Sequence, residues 1–278
     1  MASFDHRGLR AQYRVCGQGV PVVLLHAGGS SARQWAEFRN HCPDTYQYLA
    51  PDLIGFGQTD IWPGPGDLTH DHQGGLVSAL VREVFNRPVH LVGHSYGGST
   101  AVRLALSHPD QVESLTLIEP NIVSLLQSAG EREIFDEYLR GAKAFMDSAT
   151  AGDLEKAWAE FVDMRNGPGA WRDTPDRVRT RMFERTQQMI DGFMSNLNNT
   201  TTLADCRTLD LPVMVVCGEK TTRPERRITE MLAETLPHCR YEVIAGAGHM
   251  SPLTHPAEVA ALVVDHLTGL ENRQRRSA

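Results

Sequence analysis

The sequence predicts an α/β fold: a mostly parallel sheet covered by helices on both faces, with a helical cap inserted into it. Three observations carry this expectation. Short β-rich apolar runs alternate with helical patterns, several of the runs end in glycine-containing turns, and the long interval 124–205 holds no strand pattern at all. At 278 residues the chain exceeds one small core but falls short of two full domains, so a single large domain with an insertion is expected.

The first apolar run, Val20–Leu25, leads into the glycine pair Gly28-Gly29, and a second run covers 46–50. A helical pattern over 75–85 precedes the run at 88–92, which ends in a glycine turn and a helix over 99–107. Further runs at 114–118, 213–217 and 241–244 alternate with helices over 226–236 and 257–267. The expected boundaries are a first core part over 1–123, the cap over 124–205, a second core part over 206–270 and a tail over 271–278. The basic Asn-Arg-Gln-Arg-Arg of that tail reads as a solvated, frayed end. The cap holds five of the nine methionines, interspersed with tryptophan and phenylalanine, which suits an adaptable apolar wall. Met146, Trp158, Phe161, Met189 and Phe193, together with Met250 outside the cap, are the expected pocket residues. Most other apolar cap residues should form the cap's own core.

The composition, 41% hydrophobic and 22% charged, is that of an ordinary globular protein, and no apolar run is long enough to span a bilayer. A formal charge of −7 argues against a nucleic-acid partner held through phosphates. The start lacks the basic and apolar regions of a secretory signal, which points to the cytoplasm, and no membrane partner is expected. Five cysteines without a C-x-x-C pair suggest neither a disulfide framework nor a zinc site, and they are expected as reduced, packed thiols. His70 and His72 form a weak H-x-H metal pattern without a third ligand, so a solvated helix start is the expectation there.

The strongest chemical signal is Gly93-His94-Ser95-Tyr96-Gly97, directly after one strand and before one helix. Such a sharp turn exposes the serine Oγ, and its near neighbours must be glycine to avoid clashes. A nucleophilic serine needs N–H donors for a developing oxyanion. The N–H groups of Gly28 and Tyr96 are assigned to that role, Gly28 lying at the carboxyl end of a strand, where open parallel sheets bind ligands. His26 is expected to brace this loop. The base is assigned to His249, in the glycine loop after the last strand, whereas His94 should serve packing or hydrogen bonding.

Taken together, His26-Ala27-Gly28-Gly29, Asp52-Leu53-Ile54-Gly55-Phe56-Gly57, Gly93-His94-Ser95-Tyr96-Gly97-Gly98 and Gly248-His249 resemble the α/β-hydrolase fold superfamily over nearly the whole chain. The resemblance implies a serine hydrolase acting on a small-molecule substrate without cofactor or metal, and a structural role for Asp52. It also exposes a departure. The family's usual aspartate, three residues after the glycine in Cys217-Gly218-Glu219-Lys220-Thr221, is replaced by Thr221. Threonine cannot stabilise an imidazolium as a carboxylate does. Glu119, at the end of the run 114–118, is similar in place to the acid of haloalkane dehalogenases with a glutamate and of lactonases of the zearalenone-hydrolase type. The expected triad is therefore Ser95, Glu119 and His249. Glu219 is expected as a buried or salt-bridged structural carboxylate, and Asp205 and Asp210 lie at the wrong end of their strand.

A serine at the elbow argues against haloalkane dehalogenase and epoxide hydrolase chemistry, which need an aspartate there. The implied activity is hydrolysis of an ester or lactone of medium size and apolar character. Carbon–carbon bond hydrolysis, perhydrolysis, a lyase and a cofactor-free oxygenase remain compatible with the same residues, and a ligand-binding homologue without turnover is the alternative of another class.

Overall fold

The computed structural model describes residues 1–64 and 66–277, the side chains of Gln274 and Ser277 excepted. Among these residues one sheet holds eight strands: β1 (Ala2–His6), β2 (Leu9–Cys16), β3 (Val20–Leu25), β4 (Tyr46–Pro51), β5 (Val89–His94), β6 (Val112–Ile118), β7 (Val213–Gly218) and β8 (Cys239–Ile244). Their order is β1-β2-β4-β3-β5-β6-β7-β8. The pairs β1·β2 and β2·β4 are antiparallel, and every pair from β4 to β8 is parallel.

The helices are α1 (Ala36–Asn40), α2 (His70–Val84), α3 (Tyr96–Ser107), α4 (Ser124–Ser128), α5 (Arg132–Thr150), α6 (Leu154–Asn166), α7 (Asp176–Glu184), α8 (Thr186–Leu197), α9 (Leu203–Arg207), α10 (Arg223–Thr235), α11 (Ser251–Thr254) and α12 (Pro256–Ser277), with 3-10 turns at Ala32–Trp35 and Pro109–Gln111. Strand pleating divides the core in two. Val23, Leu25, Leu91, Leu117 and Val215 face α2, α3 and α10 through Leu80, Leu104 and Ile228, whereas Val22, Leu24, Val92 and Val216 face α1 and α12 through Phe38 and Val263. Burial on both faces explains why β3 and β7 are apolar at nearly every position, while the buried polar His90 of β5 and Ser114 of β6 pair with each other. Helices α4–α9 make up the cap, and Phe145, Trp158 and Phe193 continue the first of the two cores into it.

After β3 the chain turns back to β4 and then crosses to β5 on the other side of β3. The carboxyl ends of β3 and β5 thus flank the point where strand order reverses, the crevice in which such sheets bind ligands.

Several expectations are amended. The two antiparallel strands β1 and β2 have no counterpart in the sequence reading. Helix α2 begins at His70, earlier than position 75, because Thr69 caps it in a reciprocal box with His72. His70 is not solvated: it is buried, with Nδ1 at 3.0 Å from Thr100 Oγ1 and Nε2 at 2.9 Å from Asn196 Oδ1. His72 is half-buried and stacks on Trp62. No group of three potential ligands among the described residues could hold a metal ion. Helix α12 runs on through residues 271–277 of the expected tail, Ala278 lying outside the described residues. Cys206 and Cys217 are buried, but Cys16 is exposed. No helix among the described residues is long and apolar enough to cross a membrane.

Candidate active site

Ser95 sits between β5 and α3 with φ 55° and ψ −117°, a conformation that costs a non-glycine residue on the order of 1–3 kcal/mol. The surrounding glycines explain how the turn is kept. A Cβ on Gly97 would meet the carbonyl oxygens of Leu25 and His26, and one on Gly98 would lie 2.8 Å from Pro120 Cβ. The elbow is also tied to the end of β6: Ser95 N–H donates to Ile118 O at 2.9 Å, and Asn121 N–H donates to Ser95 O at 3.3 Å.

Three expected residues converge there. Ser95 Oγ lies 3.0 Å from His249 Nε2, and His249 Nδ1 lies 2.7 Å from Glu119 Oε2. Glu119 takes φ 44° at the end of β6, and its side chain crosses to the neighbouring strand β7. There it accepts hydrogen bonds from Gly218 N–H and from Thr221 Oγ1, each at 2.6 Å. Burial pushes the Glu119 carboxyl upward in pKa, and the Thr221 and Gly218 donors pull it back. Position 221, which lacks the expected aspartate, thus supplies a donor to the carboxylate that contacts His249. Burial holds His249 down at about 3, with the Arg165 charge acting in the same direction, so its imidazole is neutral at rest. With Glu119 accepting from Nδ1–H, Nε2 carries the lone pair facing Ser95.

The loop after β3 is brought to the other side of Ser95. A Cβ on Gly28 would lie 3.7 Å from Tyr96 Cβ, and both residues line the same cavity as Ser95 and His249. Neither N–H makes a hydrogen bond within the described residues. His26 braces this loop as expected, its Nδ1–H donating to Ala27 O at 2.7 Å while Nε2 accepts from Leu53 N–H at 3.0 Å. Burial keeps it neutral, with a pKa of about 4. Asp52 ties down loops, accepting from Ala32 N–H and Gln58 N–H. His94 is a hydrogen-bonding residue: Ala27 N–H donates to Gln34 Oε1, Gln34 Nε2 to His94 Nδ1, and His94 Nε2 to the His249 carbonyl. This buried relay fixes the glycine loop and the histidine loop relative to each other.

A cavity of about 190 Å³ lies over Ser95 beneath the cap. Trp158, Phe161, Met189, Phe193 and Met250 line it as expected, but Met146 does not; it is half-buried and packs against the core instead. Phe145, on the same helix as Met146, packs edge-on against Trp158 and Phe161, so α5 backs the aromatic wall without reaching the cavity. Glu219 is exposed rather than buried and accepts from Gly246 N–H. Asp205 caps α9 and Asp210 pairs with His238, both away from the site.

Sequence reasoning missed three residues. Gln34 belongs to the relay above. Asn121 Nδ2 donates to Ser95 Oγ at 3.1 Å and lines the cavity, while its buried Oδ1 has no partner. Arg165 of the cap also lines the cavity and forms a buried ion pair with Glu225 at the start of α10. Two residues beyond Glu119, Asn121 could have been suspected from proximity to the acid; Arg165 and Gln34 leave no local signal.

The match to known families agrees with this geometry. Residues 22–262 match the alpha/beta hydrolase family, and the chain belongs to that family. It is 27% identical over 266 residues to the lipase LipV of Mycobacterium tuberculosis (strain ATCC 25618 / H37Rv), covering 88% of this chain and 92% of that one. It is 25% identical over 271 residues to the 2-hydroxymuconate semialdehyde hydrolase of Pseudomonas sp. (strain CF600), covering 94% and 91%. In fold it is similar to the enol-lactonase of Burkholderia xenovorans LB400, with a TM-score of 0.76 at 19% identity, covering 96% of this chain and all (100%) of that one.

Proposed function

We propose that the chain is a serine hydrolase that cleaves an ester or lactone bond of a medium-sized apolar substrate through an acyl-enzyme on Ser95. The observation that carries the reading is the line of contacts from Ser95 Oγ to His249 Nε2 at 3.0 Å and from His249 Nδ1 to Glu119 Oε2 at 2.7 Å, at the base of an apolar cavity. In the first step Ser95 Oγ attacks the carbonyl carbon while His249 Nε2 takes the hydroxyl proton. Asn121 favours this arrangement, because its donation to Oγ occupies a lone pair and leaves the serine hydrogen for His249. The oxyanion is received by the free N–H groups of Gly28 and Tyr96. Glu119 stabilises the imidazolium until His249 passes its proton to the leaving alkoxide. Water then attacks the acyl-enzyme with His249 as base, releasing the acid and restoring Ser95. None of these steps calls for a metal or cofactor.

Hydrolysis of a carbon–carbon bond is the second reading, favoured by the likeness over 94% of this chain to a 2-hydroxymuconate semialdehyde hydrolase. One experiment tests both. A panel of p-nitrophenyl esters, lactones, thioesters and vinylogous diketones is assayed with the native chain and with Ser95→Ala, alongside labelling by a fluorophosphonate. Turnover of an ester or lactone that falls about 10⁵-fold or more in a folded Ser95→Ala protein is expected. Near-native ester turnover by that variant would refute the assignment, and turnover confined to the diketones would establish the second reading.

A further inference from the structure

Beside the cavity over Ser95 lies a second depression of about 370 Å³, which shares Gly29, Ser30, Met182 and Leu253 with it. Its lining is cationic. Arg14 comes from β2, Arg33 from the 3-10 turn after the glycine loop, and Arg181 and Arg185 from the last turn of α7 and the residue that caps it. Val178, Arg181, Met182 and Arg185 are spaced at i, i+3, i+4 and i+7, so one side of α7 faces this depression across the seam between cap and core.

The charges are not cancelled within the described residues. Arg39, Arg103, Arg223, Arg227 and Arg240 all have carboxylate partners, whereas the four arginines of the depression make no ion pair there. Among the described residues Asp52 is the one acid that lines it; its carboxylate accepts from Ala32 N–H at 2.7 Å and Gln58 N–H at 2.9 Å and offsets only one of the four positive charges. Arg185 reaches toward the glycine loop, with Nη1 at 3.5 Å from Ser30 O, and its charge adds to the burial that lowers the His26 pKa. In a chain of net charge −7, four guanidinium groups set against a single carboxylate around one opening leave an excess of positive charge that draws anions to it. Their planar forks match the paired oxygens of carboxylates and phosphates.

We propose that this depression is a subsite for an anionic group, a carboxylate or a phosphate, carried by the substrate whose scissile carbonyl lies at Ser95. The proposal rests on the serine-hydrolase reading and narrows it: the substrate is an amphiphile, with an apolar part under the cap and charged oxygens among the arginines. Neutral acylglycerols do not fit that division.

The test uses three butyrate esters, of phenol, of 4-hydroxybenzoate and of 4-hydroxyphenyl phosphate, with the native chain and with the double variant Arg33→Gln/Arg181→Gln. The ratio of charged to neutral kcat/KM, compared between the two proteins, cancels the intrinsic reactivity of each leaving group. We expect this ratio to fall about tenfold in the variant, chiefly through KM, and to fall in the native protein as salt rises from about 50 mM to about 0.5 M. The two charged esters separate the sources: a fall for one alone identifies carboxylate or phosphate as the anion. A ratio unchanged for both overturns the proposal. Calorimetric binding of the same charged esters to Ser95→Ala, with and without the two arginine replacements, needs no turnover. If the native protein neither hydrolyses the neutral ester nor takes the fluorophosphonate label, it is the hydrolase reading that fails. Binding that does not weaken when the arginines are removed then overturns the subsite as well.

Discussion

At the scale of single residues, the site turns on an exchange between two neighbouring strand ends. Thr221 stands where the family's acid usually follows β7, and Glu119 reaches across from β6 to the same histidine nitrogen. The longer glutamate side chain and its positive φ make this reach possible, and Thr221 Oγ1 with Gly218 N–H hold the carboxylate in place. On the proposed mechanism, Glu119→Gln removes the charge that stabilises the imidazolium and should lower kcat by about 10³–10⁴-fold. Thr221→Val removes only a donor to a charged group, worth about 1.5–3 kcal/mol, and should cost about 10–150-fold. Steady-state kinetics on an activated ester, with circular dichroism to verify folding, reads both. A Thr221→Val rate as low as that of Glu119→Gln would mean that position 221 acts on the histidine directly.

At the scale of elements, cap and core are joined by a buried pair: Arg165 of α6 meets Glu225 of α10, and Thr222 also donates to that carboxylate. Leaving one buried charge without its partner costs about 3–5 kcal/mol, whereas an apolar replacement of both is often close to neutral. Glu225→Gln should therefore destabilise the protein by that amount, and Arg165→Met/Glu225→Leu should recover most of the loss. Thermal or urea unfolding measures this, and a double variant no more stable than the single one would show that the pair contributes by attraction rather than by mutual compensation. The same elements show what the sequence could convey. Strands β3 and β7 are legible because burial on both faces makes them continuous apolar runs, and β5 and β6 because apolar residues still dominate around a few buried polar ones such as His90 and Ser114. Strands β1 and β2 are not, because they are short on apolar residues and half open to solvent, with Asp5, Arg10 and Arg14 exposed, so neither forms a continuous apolar run. Ser95 and His249 announce themselves through glycine-rich turns, whereas Gln34 and Arg165 act through contacts between segments distant in the chain and carry no local pattern, and Asn121 is marked only by its place two residues beyond Glu119.

Across the whole molecule, buried histidines set the response to acid. Burial lowers His26, His70, His90 and His266 to about 4, and His94 and His249 to about 3. A histidine near 6.5 in the unfolded chain takes up its proton before the folded one does, so the unfolded state binds more protons below that value. Stability is therefore full above about pH 6.5, and it is lost as pH falls toward 4. Glu119, raised by burial, works in the opposite sense but is a single group set against six. The melting temperature should hold between about pH 8 and 7, then drop steeply from about pH 6 to 4.5, with a proton uptake on unfolding of at least about three near pH 5. His90, whose ring hydrogen-bonds Ser114 Oγ and pairs with the exposed Glu113, lies away from the candidate site, with His266 as the one other shifted histidine that feels its charge. His90→Gln should reduce the proton uptake by about one while leaving the rest of the acid transition in place. A melting temperature flat from pH 7 to 5, or an uptake unaltered by His90→Gln, would show that these imidazoles are not what makes the fold acid-labile.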